Sequence, residues 1–167
     1  MKHFFLVQQY LLYLVRAKTA HGAHSPFVFN FIEQVLKDRR HFYAFDEIQQ
    51  MREELYANTS VLLVEDFGAG SHHAQHNERV IASIAKQAGR SKKLGELLFR
   101  MVQYFQCHSI LEIGTSLGLS TSYLSAANPK GKIVTIEGSE SIAKVASANF
   151  KRMGYSNIHL EVGNIDT

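Results

Sequence analysis

The stretch Ile110-Leu111-Glu112-Ile113-Gly114-Thr115-Ser116-Leu117-Gly118-Leu119-Ser120 decides how this chain is read. Ile110, Leu111 and Ile113 are strand formers, and the run predicts a short buried strand. Gly114 and Gly118 allow a tight turn and let the backbone approach a ligand with no side chain in the way. Ser120 opens a short helix that Asn128-Pro129 stops. A second strand, Lys132-Ile133-Val134-Thr135-Ile136, ends in Glu137. A glycine loop at the carboxyl end of one strand, with an acid at the end of the next, is the layout of a nucleoside half-site. Such an acid accepts hydrogen bonds from a ribose diol.

The spacing narrows the ligand. A dinucleotide fold uses G-x-G-x-x-G, so that a helix amino terminus meets a pyrophosphate. Here the spacing is G-x-x-x-G, and Glu112 precedes the first glycine by two residues. An acid there repels a pyrophosphate and suits an ammonium group. The pattern E-x-G-x-x-x-G-x-S, followed by a hydrophobic strand ending in Glu, resembles the class I S-adenosylmethionine-dependent methyltransferases. Within them it looks most like the catechol and caffeoyl-CoA O-methyltransferase-like branch, from Ile110 to about Gly163.

That resemblance implies an α/β fold: the amino-terminal part of a Rossmann-like sheet, strands in the order 3-2-1, with a helical region in front. It implies methyl transfer from S-adenosyl-L-methionine to an acceptor, a small molecule before others. Glu112, Gly114 and Gly118 would shape the methionine end and Ser116 would line it. Ser120 resembles a residue that holds the methionine carboxylate, and Glu137 the acid that clamps the ribose. After a third strand, Asn157 to Val162, Asn164 falls beside the adenine, where the family often carries an acid. Four further strands would carry the acceptor pocket, the general base and any metal ligands. The chain is thus expected to be a truncated form holding the cofactor half-site only, binding weakly, catalysing nothing and presenting strand one as an open edge prone to self-association. No catalytic residue can be assigned. The expected division is a helical region over 1–90 and the partial cofactor domain over 91–167.

In front of strand one, five helices are expected, the last four as follows. Ser25-Pro26 marks a start, an N-cap followed by proline, and Val28, Phe31, Ile32, Val35 and Leu36 form one face. A second runs from about Asp46 to Tyr56, with Ile48, Met51 and Leu55 inward. A third covers about Asn77 to Gln87. A fourth starts at Ser91, where Leu94, Leu97, Leu98, Met101, Val102 and Phe105 repeat as a helical stripe. Earlier still, Phe4, Val7, Leu11 and Leu14 recur at helical spacing. Gln8-Gln9 interrupts the run and Arg16 and Lys18 follow it, so it reads as a packed helix, neither a signal peptide nor a membrane span.

Three other features invite a functional reading. Val64-Glu65-Asp66-Phe67-Gly68-Ala69-Gly70 imitates a second glycine loop, but no strand ending in an acid follows at the right distance. It reads as a loop that could approach the acceptor side. His72 and His76 have a zinc-binding spacing without a Glu between them or further ligands, and no metal is expected there or at His21 and His24. Lys18 to Phe27 is dense in polar groups and is a candidate for the acceptor pocket. A net charge of +3 comes from scattered pairs such as Lys92-Lys93 and Lys151-Arg152, which read as solvated helix ends; nucleic acid stays open as an acceptor without support. The single cysteine, Cys107, excludes a disulfide framework and fits a cytoplasmic protein. A non-catalytic cofactor-binding scaffold is the alternative to an enzyme, and a metal- or nucleic-acid-binding module the third class.

Overall fold

The computed structural model describes residues 2–16, 22, 25–66, 75–89 and 91–163. It divides into two compact units, 1–39 and 40–167. In the first unit, α1 spans Lys2–Arg16, and α2 (Pro26–Phe31) continues as a π turn over Ile32–Leu36. Ser25 caps α2 by accepting from the Val28 N–H at 3.4 Å, with Pro26 in the first turn. This is the expected start signal, working because the first helical N–H groups lack intrahelical partners. The expected packing of α1 is not seen: Phe4, Val7 and Leu11 are all more than half exposed.

The second unit holds the sheet. Strands β3 (Ser109–Ile113), β4 (Lys132–Glu137) and β5 (Ile158–Val162) pair in the order β3-β4-β5, all parallel. These are the three expected strands in the expected order. Parallel neighbours need crossovers, and α6 (Leu119–Ala127) and α7 (Glu140–Arg152) supply them. The register aligns Glu112 with Thr135 and Ile113 with Ile136. It therefore puts Ile110, Glu112, Ile133 and Thr135 on one face, since strand side chains alternate. Ile133 and Thr135 are buried there. On the other face Leu111 is 64% and Ile113 60% exposed.

The main core forms where helices that precede this sheet pack against Leu117 and the crossover residues Leu119, Tyr123 and Ile142. Helix α3 (Tyr43–Ala57) buries Phe45, Ile48, Met51 and Leu55, three of which are the inward residues expected for the second helix. Phe45 meets Phe42, Phe99 and Tyr123 at ring-centroid distances of 5.3, 5.0 and 5.9 Å, within the range for edge and tilted aromatic pairs. Helix α5 (Lys92–Phe105) is capped by Ser91 as expected, but its buried face is Gly95, Phe99 and Val102. Leu94 and Phe105, from the expected stripe, stand on the exposed side. The face turns because Gly95 lets α6 come close. A Cβ at Gly95 would lie 2.2 Å from the Tyr123 ring.

One expectation fails outright. Residues 75–80 are not the start of a helix. They form β2 (Gln75–Val80), antiparallel to β1 (Val61–Asp66) in a separate two-stranded sheet, and α4 covers only Ile81–Ala88. The region expected to be helical thus carries a hairpin. Ser141, in the first turn of α7, donates to the Leu63 carbonyl at 2.7 Å and fastens the hairpin to the sheet unit. The Gly68–Gly70 loop and His72 and His73 lie outside the described residues, as do His21, His24 and most of Lys18 to Phe27.

Candidate functional site

The carboxyl ends of β3 and β4 meet at the glycine loop. Gly114 and Gly118 both sit at φ +86°, and Ser116 at φ +50°, conformations that glycine adopts without strain and other residues rarely do. The N–H groups of Gly114 and Thr115 both donate to the Ile136 carbonyl, at 2.9 and 3.1 Å. The loop is therefore tied across to β4 as soon as β3 ends. The amino end of α6 follows at Gly118. Gly118 faces Phe150 of α7: a Cβ there would approach the ring to 2.4 Å. A Cβ at Gly114 would meet nothing within 4 Å, so that position opens onto free space. It belongs to a groove of about 570 Å³ that Glu112, Ser120 and Leu94 also line.

Glu137 closes the second strand. One carboxylate oxygen accepts the Ser116 N–H at 2.7 Å and the other accepts the Ser139 N–H at 3.1 Å. A carboxylate has about four acceptor positions, so about two are left. The acid thus shapes the loop as well as offering itself to a ligand, a double task not visible from its place at a strand end. Glu112 is held more heavily. Ser120 Oγ donates to Oε1 at 2.6 Å, and Thr121 Oγ1 and Thr135 Oγ1 donate to Oε2 at 2.5 and 2.8 Å. Thr115 Oγ1 lies 2.6 Å from Thr135 Oγ1.

The structure therefore brings Glu112, Gly114, Ser116, Gly118, Ser120 and Glu137 to one end of the sheet. Asn164 lies outside the described residues. The expected role of Ser120 needs a proton that is engaged here, because its one hydroxyl hydrogen points to Glu112. Sequence reasoning missed Thr115, Thr121 and Thr135. Thr121 is adjacent to Ser120, and Thr135 stands in register with Glu112, but only the pairing of β3 with β4 shows that they share one carboxylate. Among the described residues no group of three or more His, Cys, Asp or Glu side chains could hold a metal ion. None of the described helices is long and apolar enough to cross a membrane.

A parallel sheet with this loop and these two acids has the layout of a class I S-adenosylmethionine-dependent methyltransferase. Residues 65–166 match the family model for protein-L-isoaspartate(D-aspartate) O-methyltransferase, and the chain belongs to that family. It is similar to the catechol O-methyltransferase of Mycobacterium tuberculosis, 37% identical over 68 residues, which cover 40% of this chain and 31% of that protein. It is similar to the same degree, 37% over 68 residues, to the protein-L-isoaspartate O-methyltransferase of Petrotoga mobilis, covering 41% of this chain and 31% of that one. These matches span about a third of the curated relatives' length.

Among solved structures, an SAH-bound methyltransferase from Podospora anserina superposes with a TM-score of 0.54 at 17% identity, over 87% of this chain and 53% of that one. A Bacillus cereus O-methyltransferase in complex with SAH gives 0.50 at 23%, over 81% and 49%. Both likenesses concern the fold.

Proposed function

We propose that this chain binds S-adenosyl-L-methionine at the carboxyl ends of β3 and β4, as part of a protein that transfers the methyl group to a small-molecule acceptor. The observation that carries the reading is the pair of differently held acids flanking one glycine loop. Glu137 keeps about two acceptor positions beside the loop, which suits a ribose diol. Glu112 lines the groove with a carboxylate, which suits the ammonium of the methionine end. Gly114 opens onto the same groove with no Cβ to fill it. The residues present therefore fit the cofactor.

The bound group would supply an electrophilic methyl on a sulfonium. This chain's own residues bind and orient. Ser116 would line the methionine end, Ser120 would reach its carboxylate once its proton leaves Glu112, and Asn164 would serve the adenine edge. The cofactor part is assigned to residues 91–167.

Calorimetric titration of S-adenosylhomocysteine into the full-length protein is the direct test. Glu137→Ala removes an acceptor for two hydroxyls and for two backbone N–H groups. Hydrogen bonds to charged groups contribute about 1.5–3 kcal/mol, so affinity is expected to fall about tenfold to a hundredfold. Glu137→Gln keeps the shape and should cost less. Equal binding by wild type and Glu137→Ala would remove the ribose assignment, and absence of binding by the wild type would remove the cofactor reading.

A further inference from the structure

The hydroxyls around Glu112 have a direction. Each has one proton to give. Thr135 gives its proton to Glu112, so in the 2.6 Å contact between Thr115 and Thr135 it is Thr115 that donates. The result is a chain of donors from the glycine loop, through β4, to Glu112 Oε2. Thr121, at the start of α6, adds a second donor to that same oxygen. Two donors fill the two positions of Oε2, while among the described residues Oε1 takes only Ser120 and keeps one position. Thr115, Thr121 and Thr135 are 1%, 0% and 0% exposed. Water cannot replace them without opening the core, whereas Ser120 and Glu112 line the groove.

We propose that Thr121 and Thr135, with Thr115 behind them, are positioning residues that lock the inner oxygen of Glu112, so that its outer oxygen has one fixed acceptor position for the ammonium of an amino-acid-bearing adenosine ligand. Ser120 is then the exchangeable member. It fills the other position of Oε1 in the free protein and turns to the ligand's carboxylate once the ammonium satisfies Oε1. This rests on the cofactor reading and adds which residues confer recognition of the amino-acid end. It also makes the loop and Glu112 one unit, because Thr115 is held to β4 by its backbone N–H as well as by its hydroxyl.

The test compares two ligands that differ only at that end. S-adenosylhomocysteine carries the amino acid; 5′-methylthioadenosine has the adenosine and a thioether without it. In Thr135→Val and Thr121→Val, affinity for S-adenosylhomocysteine should fall about tenfold, the loss expected for roughly one hydrogen bond to a charged group. Affinity for 5′-methylthioadenosine should stay within about twofold, a difference of about 0.4 kcal/mol. Thr135→Ser keeps the donor and should restore the first ligand. Thr115→Val breaks the chain at its far end without touching Glu112. It carries the same comparison if a valine at 121 or 135 prevents folding, with a smaller and equally selective loss expected. Parallel loss of both ligands in folded variants, or no loss of either, overturns the proposal while leaving the cofactor reading intact. Failure of the wild type to bind either ligand overturns both.

Discussion

At the scale of single residues, two glycines in one loop have different reasons to be glycine. Gly114 and Gly118 share φ +86°. Gly114 has open space where a Cβ would stand, while Gly118 has Phe150 at 2.4 Å. Gly114→Ala should therefore cost only the left-handed conformation, about 1–2 kcal/mol. Gly118→Ala adds overpacking against a buried ring and should cost about 2–4 kcal/mol in all. Urea unfolding of the two variants checks the order; equal losses would mean that Phe150 yields freely. The need for glycine was legible in the sequence at both positions, but this difference was not, because Phe150 arrives from 32 residues away. The same holds for the site acids. Their places at strand ends could be read from the chain. Their partners could not, since Ser116, Ser139, Thr121 and Thr135 reach them only through the turn and the strand register.

At the scale of elements, the parallel strands were legible and the hairpin was not, for a physical reason. Strands β3 and β4 are rich in branched apolar residues, Ile110, Leu111, Ile113, Ile133, Val134 and Ile136, which favour strands; the burial expected of β3 is not met, because Leu111 and Ile113 stand exposed on its outer face. Strand β2 reads Gln-His-Asn-Glu-Arg-Val. It has no apolar alternation, and what fixes it is the backbone ladder with β1. Residues 75–79 are all polar and so read like the solvated first turn of the helix that begins at Ile81. Helix α5 shows the converse: its stripe was read correctly as helical but its buried centre is shifted, because Gly95 admits a neighbour that no periodicity announces.

Strand β3 also sets an expectation of its own. Among the described strands it pairs only with β4, and its outward face carries Leu111 and Ile113. A strand edge beside exposed apolar side chains is a template for pairing with another chain. We expect concentration-dependent self-association by sedimentation, and Leu111→Lys to reduce it. Stability should move by no more than about 0.5 kcal/mol, as for an exposed position. A monomer at all concentrations in the unsubstituted chain would sink this expectation.

At the scale of the whole molecule, the helices in front of the sheet bury two tyrosine hydroxyls that set an alkaline limit to stability. Burial pushes the Tyr123 phenol up, opposed by the neighbouring Arg52 guanidinium. Burial, with Glu47 nearby, pushes Tyr155 up further. Unfolding releases both to their ordinary value of about 10. Above that pH the unfolded chain loses protons that the folded one keeps, so stability, whole below about pH 10, should fall as pH rises. Tyr155→Phe should flatten the decline in a thermal-melting series across that range. An unchanged slope would assign the decline to other groups.

The contact of Gly95 with Tyr123 has a consequence for descent. With 2.2 Å between a would-be Cβ and the ring, position 95 cannot gain a side chain while the ring at 123 keeps its place. A side chain at 95 can be inherited only alongside a smaller residue at 123, and a lineage that trims the ring first leaves a hollow between α5 and α6 that a later substitution at 95 can fill. The two sites, 28 residues apart, are therefore expected to vary together among homologues, which a comparison of related sequences checks.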